Sequence, residues 1–301
     1  YIRSQYGIRK VAIVDTDCHH GDGTQDIYWH DPNTLFISIH QDGRTLYPGS
    51  GFPNESGGPN AQGKTVNIPL PPQTGEKGFL YTLDELVMPL LEEFKPELVI
   101  NSAGQDNHFN DPITNMNFSA RGYAILNKRL KPDIAVLEGG YAIENALPYV
   151  NVGIIMAMAG MDTSCVKEPN YEKDYRPQSR DVTRNIEQLV EALKDLFLRG
   201  GLQKKTYDEG RILERKRDIF YDTDGIQERQ NEKIRCCSQC AGAFSISSTA
   251  STGQHIMGVH IPMEACPECR KTGLDWFQSG KKGAFRHVYL QDRDQGLYDV
   301  A

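Results

Sequence analysis

The first 160 or so residues alternate short apolar runs with longer stretches in which apolar residues recur at helical spacing. Four of the short runs are rich in β-branched residues and end at polar or turn residues, a pattern typical of buried strands. Strands separated by helices predict an α/β fold, with a mostly parallel sheet and helices on both faces. The predicted strands are Val11–Val14, Leu35–Ile39, Leu98–Ile100 and Ile134–Leu137.

Four longer segments have the apolar spacing of helices. The first repeats leucine along one face, and the second follows Ser119, whose side chain suits an N-cap. The third is apolar almost throughout and is expected to be buried, while Gly200 and Gly201 end the fourth. The predicted helices are Phe79–Phe94, residues 120–130, residues 143–160 and Asp181–Leu198.

The composition changes after the last of these helices. Residues 201–235 mix basic and acidic side chains at close intervals, which indicates a charged linker, either helical or flexible. A third region begins at Cys236. We therefore divide the chain into a first domain over residues 1–200, a linker over 201–235, and a small module with a tail over 236–301.

Polar side chains follow three of the predicted strands at the point where each strand ends. The first strand leads into residues 15–23, the third into 101–106 and the fourth into 138–141. The carboxyl ends of the strands form the ligand crevice of an open α/β sheet. Asp, His and Tyr side chains from three strands are therefore expected at one rim.

Asp17 and His19 are two residues apart on a chain leaving a strand, so both side chains can reach one ion. Asp106 can supply a third ligand from a neighbouring strand. Two carboxylates and one imidazole leave a fourth position for water or substrate, as in a catalytic zinc site. A lone Asp after a strand is ordinarily a cap or turn residue. The Asp-x-Asp-x-His-His-Gly-x-Gly string is far more specific and favours a metal.

Two C-x2-C pairs, with 25 residues between them, lie near the end of the chain. This pattern is typical of a structural zinc site, and short strands at Phe244–Ser247 and Ile256–Ile261 complete a predicted zinc ribbon. Two disulfides in an exported protein are the alternative. The zinc interpretation makes ligands of Cys237, Cys240, Cys266 and Cys269, and leaves Cys18, Cys165 and Cys236 as thiols.

Composition narrows the classes of function. The chain has 301 residues, 39% hydrophobic and 24% charged, with a formal net charge of −7. These values are typical of a soluble globular protein, and the acidic excess argues against nucleic-acid binding. No apolar run approaches the roughly 20 residues that a membrane span needs. Because no signal segment follows Tyr1 and the cysteines cluster as metal ligands, we expect a cytoplasmic protein.

At these residues the sequence resembles the zinc-dependent histone deacetylase family, with its acetylpolyamine and acetoin-utilisation relatives. The resemblance covers about residues 1–200 and implies the fold that deacetylases share with arginases. It rests on four motifs in the family's order: the first metal motif at Val14–Gln25, the substrate-tunnel loop at Leu46–Gly51, the third-ligand segment at Ser102–Asp106 followed by Asp111-Pro112, and the catalytic-tyrosine segment at Glu138–Tyr141.

The resemblance implies a role for each matching residue. Asp17, His19 and Asp106 would hold the catalytic zinc, or iron in its place. Tyr141 would donate a hydrogen bond to the substrate carbonyl and to the tetrahedral oxyanion. A phenol aimed at developing charge in a dry site stabilises that charge more than it would in water.

The resemblance also assigns residues around this centre. Tyr47 would form an aromatic wall of the acyl-lysine tunnel, and Gly139 and Gly140 would let the chain bend toward the substrate. Asp15 and Ser38 match the family's monovalent-cation site, which implies K⁺. Asp22 and His20 would lie in the shell of groups around the metal ligands.

One departure from the family concerns the general base. The family carries a His-His pair well upstream of the first metal motif, whereas only ten residues precede Val11 here. The His19-His20 pair is no substitute, because His19 matches a metal ligand. We therefore expect an N-terminally truncated member, and losing a general base typically costs about 10²–10⁴ in rate.

These observations favour an enzyme that hydrolyses an acyl-amide, either acetyl-lysine or a small acetylated amine. The alternative is a catalytically incomplete domain whose ribbon binds a protein partner. Basic and aromatic residues follow the second cysteine pair, but acidic residues dilute them. A protein contact or a structural role therefore fits the ribbon better than nucleic-acid binding.

Overall fold

A computed structural model describes residues 1–221 and 223–301. The described chain divides into two compact units. Unit 1 comprises Tyr1–Trp29, Asn33–Gly57 and Gly63–Lys204, and unit 2 comprises His30–Pro32, Gly58–Gln62 and Lys205–Ala301. No helix among the described residues is both long and apolar enough to span a bilayer.

Unit 1 contains a five-stranded sheet in the order β3-β2-β1-β4-β5, and every neighbouring pair is parallel. This arrangement confirms the predicted α/β class. Strand β3, which contains Pro69, was not among the predicted strands. The structure places β3 at the edge of the sheet, where proline is tolerated. The strands are β1 (Val11–Asp15), β2 (Thr34–Gln41), β3 (Thr65–Leu70), β4 (Leu98–Ala103) and β5 (Ile134–Leu137).

The predicted helices of unit 1 are present. The segment Phe79–Phe94 lies within two α-helices joined by a π-helical turn, and the Ser119 hydroxyl caps α5 by accepting the Gly122 N–H at 3.1 Å. The helices are α1 (Ile2–Tyr6), α2 (Asp22–Tyr28), α3 (Glu76–Thr82), the π turn Leu83–Val87, α4 (Met88–Phe94), α5 (Ala120–Leu130), α6 (Leu147–Met158), α7 (Tyr171–Asp174) and α8 (Arg180–Phe197).

Two predictions of burial in unit 1 are wrong. Strands β1, β2 and β3 are buried throughout, but the β5 residues Ile134 and Leu137 are 37% and 70% exposed. Both β3 and β5 are edge strands of the described sheet, but β3 also packs against helix α8, whereas the main contacts of β5 are with its neighbour β4. Helix α6 buries Val150 and Ile154 but exposes Ile155 on its other face.

Unit 2 contains a six-stranded sheet in the order β11-β10-β9-β8-β7-β6. Neighbouring strands are antiparallel except β9 and β10, which are parallel and are connected through helix α9 (Pro267–Lys281). The strands are β6 (Ile212–Tyr221), β7 (Ile226–Arg235), β8 (Phe244–Ala250), β9 (His255–Ile261), β10 (His287–Asp292) and β11 (Leu297–Val300).

The prediction of a helical or flexible linker over 201–235 is wrong, because β6 and β7 form a long antiparallel hairpin there. Oppositely charged side chains face each other across it, and such pairs stabilise a sheet. The ion pairs are Glu214–Lys233 at 3.4 Å, Arg215–Glu232 at 3.2 Å and Asp218–Arg229 at 3.2 Å. The predicted ribbon strands are present as β8 and β9, but they belong to a larger sheet than a ribbon needs.

Candidate metal centre

Asp17, His19 and Asp106 come together at the carboxyl edge of the unit 1 sheet. Strands β1 and β4 are parallel neighbours, so the segments that follow them leave the sheet side by side. The possible ligand atoms of the three side chains all lie within 4.8 Å of one another. His19 Nδ1 is 2.7 Å from Asp106 Oδ2 and 3.3 Å from Asp17 Oδ1.

Backbone N–H groups fix the two carboxylates in place. Asp106 Oδ1 accepts the Cys18 N–H at 2.8 Å. Asp17 Oδ1 accepts the His19 N–H at 2.8 Å, and Asp17 Oδ2 accepts the Gly139 N–H at 2.8 Å. Partners of this kind orient metal ligands before the ion binds. The third contact also ties the segment after β5 to the ligand set.

Two glycines allow this close approach. A Cβ on Gly139 would lie 2.7 Å from both Asp17 Oδ2 and Asp106 Oδ2, and a Cβ on Gly104 would lie 2.3 Å from the Asp17 Cα. Any side chain at these positions would push the carboxylates apart. Gly139 therefore makes room for the ligands themselves, while a Cβ on Gly140 would meet Leu147 Cδ2 at 2.6 Å.

The electrostatics of the three groups suit a cation. Burial raises the pKa of Asp106 to about 6, and the nearby charge of Asp17 adds to this effect. Burial opposes a charge on His19, but hydrogen bonds to Asp106 and Asp17 outweigh it and raise the His19 pKa to about 10. At neutral pH the positive charge of protonated His19 therefore stabilises the two carboxylates. A bound metal ion would supply this positive charge instead.

The donor set fits a divalent metal ion. Two carboxylates and one imidazole are ligands of catalytic zinc, and such sites keep one position for water or substrate. The Asp17 and His19 side chains are 12% and 19% exposed, so the group is accessible from one side. The ring of Tyr141 lies close to this group, with its centroid 6.1 Å from that of His19 in an edge-on arrangement.

Asp111 anchors Tyr141. The Tyr141 N–H donates to Asp111 Oδ2 at 2.9 Å, and the Tyr141 side chain is 46% exposed. Partial burial raises the pKa of the Tyr141 phenol, and the charges of Asp106 and Asp17 raise it further. The phenol therefore keeps its proton at neutral pH and can donate it in a hydrogen bond. The Asp111-Pro112 motif was the signal for this anchor, although the sequence alone gave Asp111 no role.

The sequence profile described as the histone deacetylase domain matches residues 1–152. The chain belongs to the histone deacetylase family. A probable deacetylase of Archaeoglobus fulgidus is 50% identical over 185 residues, which cover 58% of this chain and 51% of that protein. Histone deacetylase 10 (chloroplastic) of Oryza sativa subsp. japonica is 36% identical over 154 residues, which cover 48% of this chain and 34% of that protein.

Solved structures agree with this membership. The HDA15 HD domain has a TM-score of 0.55 at 27% identity, over 66% of this chain and 54% of that chain. The histone deacetylase Clr3 has a TM-score of 0.56 at 27% identity, over 69% of this chain and 35% of that chain. The chain of this family member spans about half the length of the archaeal relative and about a third of the rice relative.

The predicted cation residues of this deacetylase-family chain lie next to each other. Asp15 and Ser38 are buried and are paired in register across β1 and β2. Burial raises the pKa of Asp15 well above its ordinary value, and the charge of Asp17 adds to this. The Ser38 hydroxyl hydrogen-bonds to His40 Nδ1 at 2.9 Å. A monovalent cation between Asp15 and Ser38 remains a prediction.

Three further residues that the resemblance assigned, namely His20, Asp22 and Tyr47, differ from one another in burial and in contacts. His20 is buried and contacts the tunnel loop, with Nδ1 accepting the Ser50 hydroxyl at 2.9 Å and Nε2 lying 3.1 Å from Gln25 Oε1. Asp22 is exposed at the start of α2, where its carboxylate accepts the Gly23 N–H at 2.8 Å. Tyr47, from the same loop as Ser50, is 65% exposed. The contacts of His20 and Asp22 are thus to the loop and to α2.

A buried histidine–glutamate pair lies beside the third ligand. His108, two residues after Asp106, is only 1% exposed. Its Nδ1 accepts the Asn110 N–H at 3.1 Å, and its Nε2 lies 3.3 Å from the buried Glu168 Oε1. Because Nδ1 accepts a hydrogen bond, Nε2 carries the proton that faces Glu168. No motif around Glu168 pointed to this contact.

Proposed function

We propose that this chain carries the metal and tyrosine groups of a deacetylase that hydrolyses an acyl-amide of acetyl-lysine or of a small acetylated amine. One observation carries the proposal: Asp17, His19 and Asp106 meet at one edge of the sheet with Tyr141 beside them. All four residues lie within the segment that matches the histone deacetylase domain.

The metal and the protein would contribute different parts of the hydrolysis. Zinc held by Asp17, His19 and Asp106 would polarise the amide carbonyl and lower the pKa of bound water. The imidazole and carboxylate donors are also compatible with iron, which we keep as the alternative metal. The chain's own contribution is to hold the two carboxylate ligands, Asp106 and Asp17, in place through the N–H groups of Cys18 and Gly139.

Tyr141 supplies the hydrogen bond to the carbonyl oxygen. Attack on the amide carbon moves negative charge onto that oxygen, and a fixed donor stabilises the charge as it develops. The bond from the Tyr141 N–H to Asp111 fixes the backbone from which the phenol projects. Its raised pKa keeps the proton on the phenol at neutral pH, so Tyr141 acts as a donor and not as an anion.

Proton transfer needs a further group. His19 belongs to the ligand set, and both ring nitrogens of His20 have polar partners. The family resemblance assigns the general base to a histidine pair upstream of the first metal motif. A general base of this kind contributes about 10²–10⁴ to the rate of such a reaction.

The test compares acetate release by the zinc-loaded chain and by its Asp106→Asn and Asp181→Asn variants. The substrates are an acetyl-lysine peptide and an acetylated polyamine, and iron replaces zinc in a parallel series. We expect acetate release that Asp106→Asn abolishes, and that Asp181→Asn retains because the Asp181 side chain is exposed on α8. Equal release by the zinc-loaded chain and by Asp106→Asn would overturn the proposal.

A further inference from the structure

Four cysteines of unit 2 form a second cluster of metal-ligating atoms, independent of the deacetylase site. The Sγ atoms of Cys237, Cys240, Cys266 and Cys269 all lie within 4.8 Å of one another. Cys237 Sγ is 3.7 Å from Cys240 Sγ and 3.8 Å from Cys266 Sγ. Tetrahedral zinc with Zn–S bonds of about 2.3 Å places its sulfurs about 3.8 Å apart. The two distances are those of thiolates around one ion.

The two cysteine pairs come from different elements. Cys237 and Cys240 lie in the turn between β7 and β8, whereas Cys266 and Cys269 lie at the start of α9. Cys266 is the N-cap of α9, and its Sγ accepts the Cys269 N–H at 3.4 Å. An ion held by all four would therefore fasten the first turn of the helix to the β7–β8 turn.

Each of the four sulfurs accepts a hydrogen bond from an N–H group. Besides the contact within the α9 cap, Cys237 Sγ accepts the Gln239 N–H at 3.3 Å. Cys240 Sγ accepts the Gly242 N–H at 3.4 Å, and the φ of +79° at Gly242 favours glycine there. Cys269 Sγ accepts Arg235 Nη1 at 3.3 Å. Donors of this kind stabilise thiolates and orient metal ligands.

The charge around the cluster also fits a metal–thiolate site. Four thiolates and one divalent cation carry a net charge of about −2. The Arg235 guanidinium, whose side chain is 11% exposed, lies against this charge and pairs with Glu209 at 3.1 Å. The remaining cysteine of the region, Cys236, is buried but lies outside the cluster. It is a matched control for the four ligands.

Unit 2 has a small apolar core for its size. Among the described residues, its hydrophobic cluster contains five buried side chains: Val259, Ile261, Phe277, Val288 and Leu290. A core of this size contributes little stability, and small domains commonly add a metal to compensate. Binding energy at such a site contributes directly to folding.

We propose that Cys237, Cys240, Cys266 and Cys269 bind a structural zinc ion that unit 2 needs in order to fold. The site is closed, because four protein ligands complete the tetrahedron and leave no position for substrate. It is therefore distinct in chemistry from the site at Asp17, and it does not depend on the deacetylase proposal.

The first test uses cobalt in the full chain carrying Asp17→Asn and Asp106→Asn, which remove the other metal site. We expect one equivalent of Co²⁺ with a sulfur-to-metal charge-transfer band and the intense visible bands of tetrahedral cobalt. Adding Cys240→Ser and Cys269→Ser should remove the equivalent, and adding Cys236→Ser should leave it in place. Bound cobalt without a sulfur band, or equal loss with Cys236→Ser, would overturn the proposal.

The second test needs no cysteine variant. The chain has two tryptophans, Trp29 in unit 1 and Trp276 in α9 of unit 2, so Trp29→Phe leaves Trp276 as the reporter of unit 2. Withdrawing zinc with a strong chelator should shift Trp276 emission to the unfolded value, and added zinc should restore it. Complete zinc removal with no change in Trp276 emission would show that the ion is not structural.

Discussion

The two candidate metal sites of the chain are built in opposite ways. The site in unit 1 gathers Asp17, His19 and Asp106 from segments almost 90 residues apart, at the ends of parallel strands. The site in unit 2 gathers two local cysteine pairs in a turn and a helix cap. The first has oxygen and nitrogen donors and an open side, whereas the second has four sulfurs. An open coordination position and the type of donor atom, more than the identity of the ion, distinguish a catalytic metal site from a structural one.

The units also differ in how much they depend on their metal. Among the described residues, the main apolar cluster of unit 1 contains thirty buried side chains and that of unit 2 contains five. Unit 1 therefore has a core that can maintain its fold without an ion. On our proposal, the cysteine site of unit 2 supplies stability that a larger core would otherwise provide.

The largest predicted effect comes from two variants, each of which removes one ligand from one of the two sites. Asp106→Asn should lower the bound metal from two equivalents to one and abolish acetate release, yet leave the Trp276 signal of unit 2 unchanged. Cys269→Ser should also remove one equivalent, but should unfold unit 2. Metal analysis and Trp276 emission in the Trp29→Phe background measure both outcomes. If Cys269→Ser left unit 2 folded, the contrast between the two sites would fail.

A smaller effect concerns Tyr141, which lies beside the three predicted ligands and whose N–H donates to Asp111. Tyr141→Phe should lower acetate release by about 10²–10³, because one donor to the oxyanion is lost. Metal content should not change, since the ligand set is intact. Steady-state rates at saturating substrate, together with metal analysis of the same sample, provide the test. A loss of metal in Tyr141→Phe would instead indicate that the tyrosine supports the ligands.

Much of the geometry of the candidate metal centre could be predicted from the sequence because two of its candidate ligands closely follow a buried strand. The run Val11–Val14 is unmistakably apolar, and in a parallel sheet its end fixes where Asp17 and His19 must lie. The cysteine pairs were equally visible, because a C-x2-C spacing carries its own geometry. At both places a local sequence pattern predicts which side chains come together.

Contacts between distant segments were not predictable in this way. Glu168 lies on a loop after α6, and only the fold brings it to 3.3 Å from His108. The hairpin at β6 and β7 was missed for a related reason. Mixed charges indicate a linker when they are counted along the chain. In the hairpin, however, opposite charges on the two strands face each other, as Glu214 and Lys233 do.

A third prediction concerns how the metal affinity of the site at His19 depends on pH. In the metal-free chain, burial opposes the charge of His19, but hydrogen bonds to Asp106 and Asp17 raise its pKa to about 10. Metal binding must displace that proton, so below pH 10 each bound ion releases it. Apparent affinity at this site should therefore rise about tenfold per pH unit through neutral pH.

Competition with a metal-binding dye at several pH values measures this slope in a chain whose cysteine site is already filled with zinc. Asp181→Asn is the matched control, because Asp181 lies in the first turn of α8 and its side chain is 85% exposed. Its slope should equal that of the unchanged chain. An affinity independent of pH between about 6.5 and 8.5 would mean that the metal does not replace the His19 proton.

The smallest effect tests whether unit 2 is also held by charge across its hairpin. Glu214 and Lys233 face each other at 3.4 Å, with side chains 51% and 44% exposed, so their attraction is partly screened by water. Glu214→Lys and Lys233→Glu should each destabilise unit 2 by about 0.5 kcal/mol or less, and the double exchange should restore stability. Denaturant unfolding of the zinc-loaded chain, followed at Trp276, gives the coupling energy. High salt should abolish this coupling, because exposed pairs are screened, but should leave the metal contribution intact. If the double exchange were no more stable than the summed effects of the two single exchanges predict, the ion pair would contribute nothing to the stability of unit 2. The metal would then be the main source of that stability.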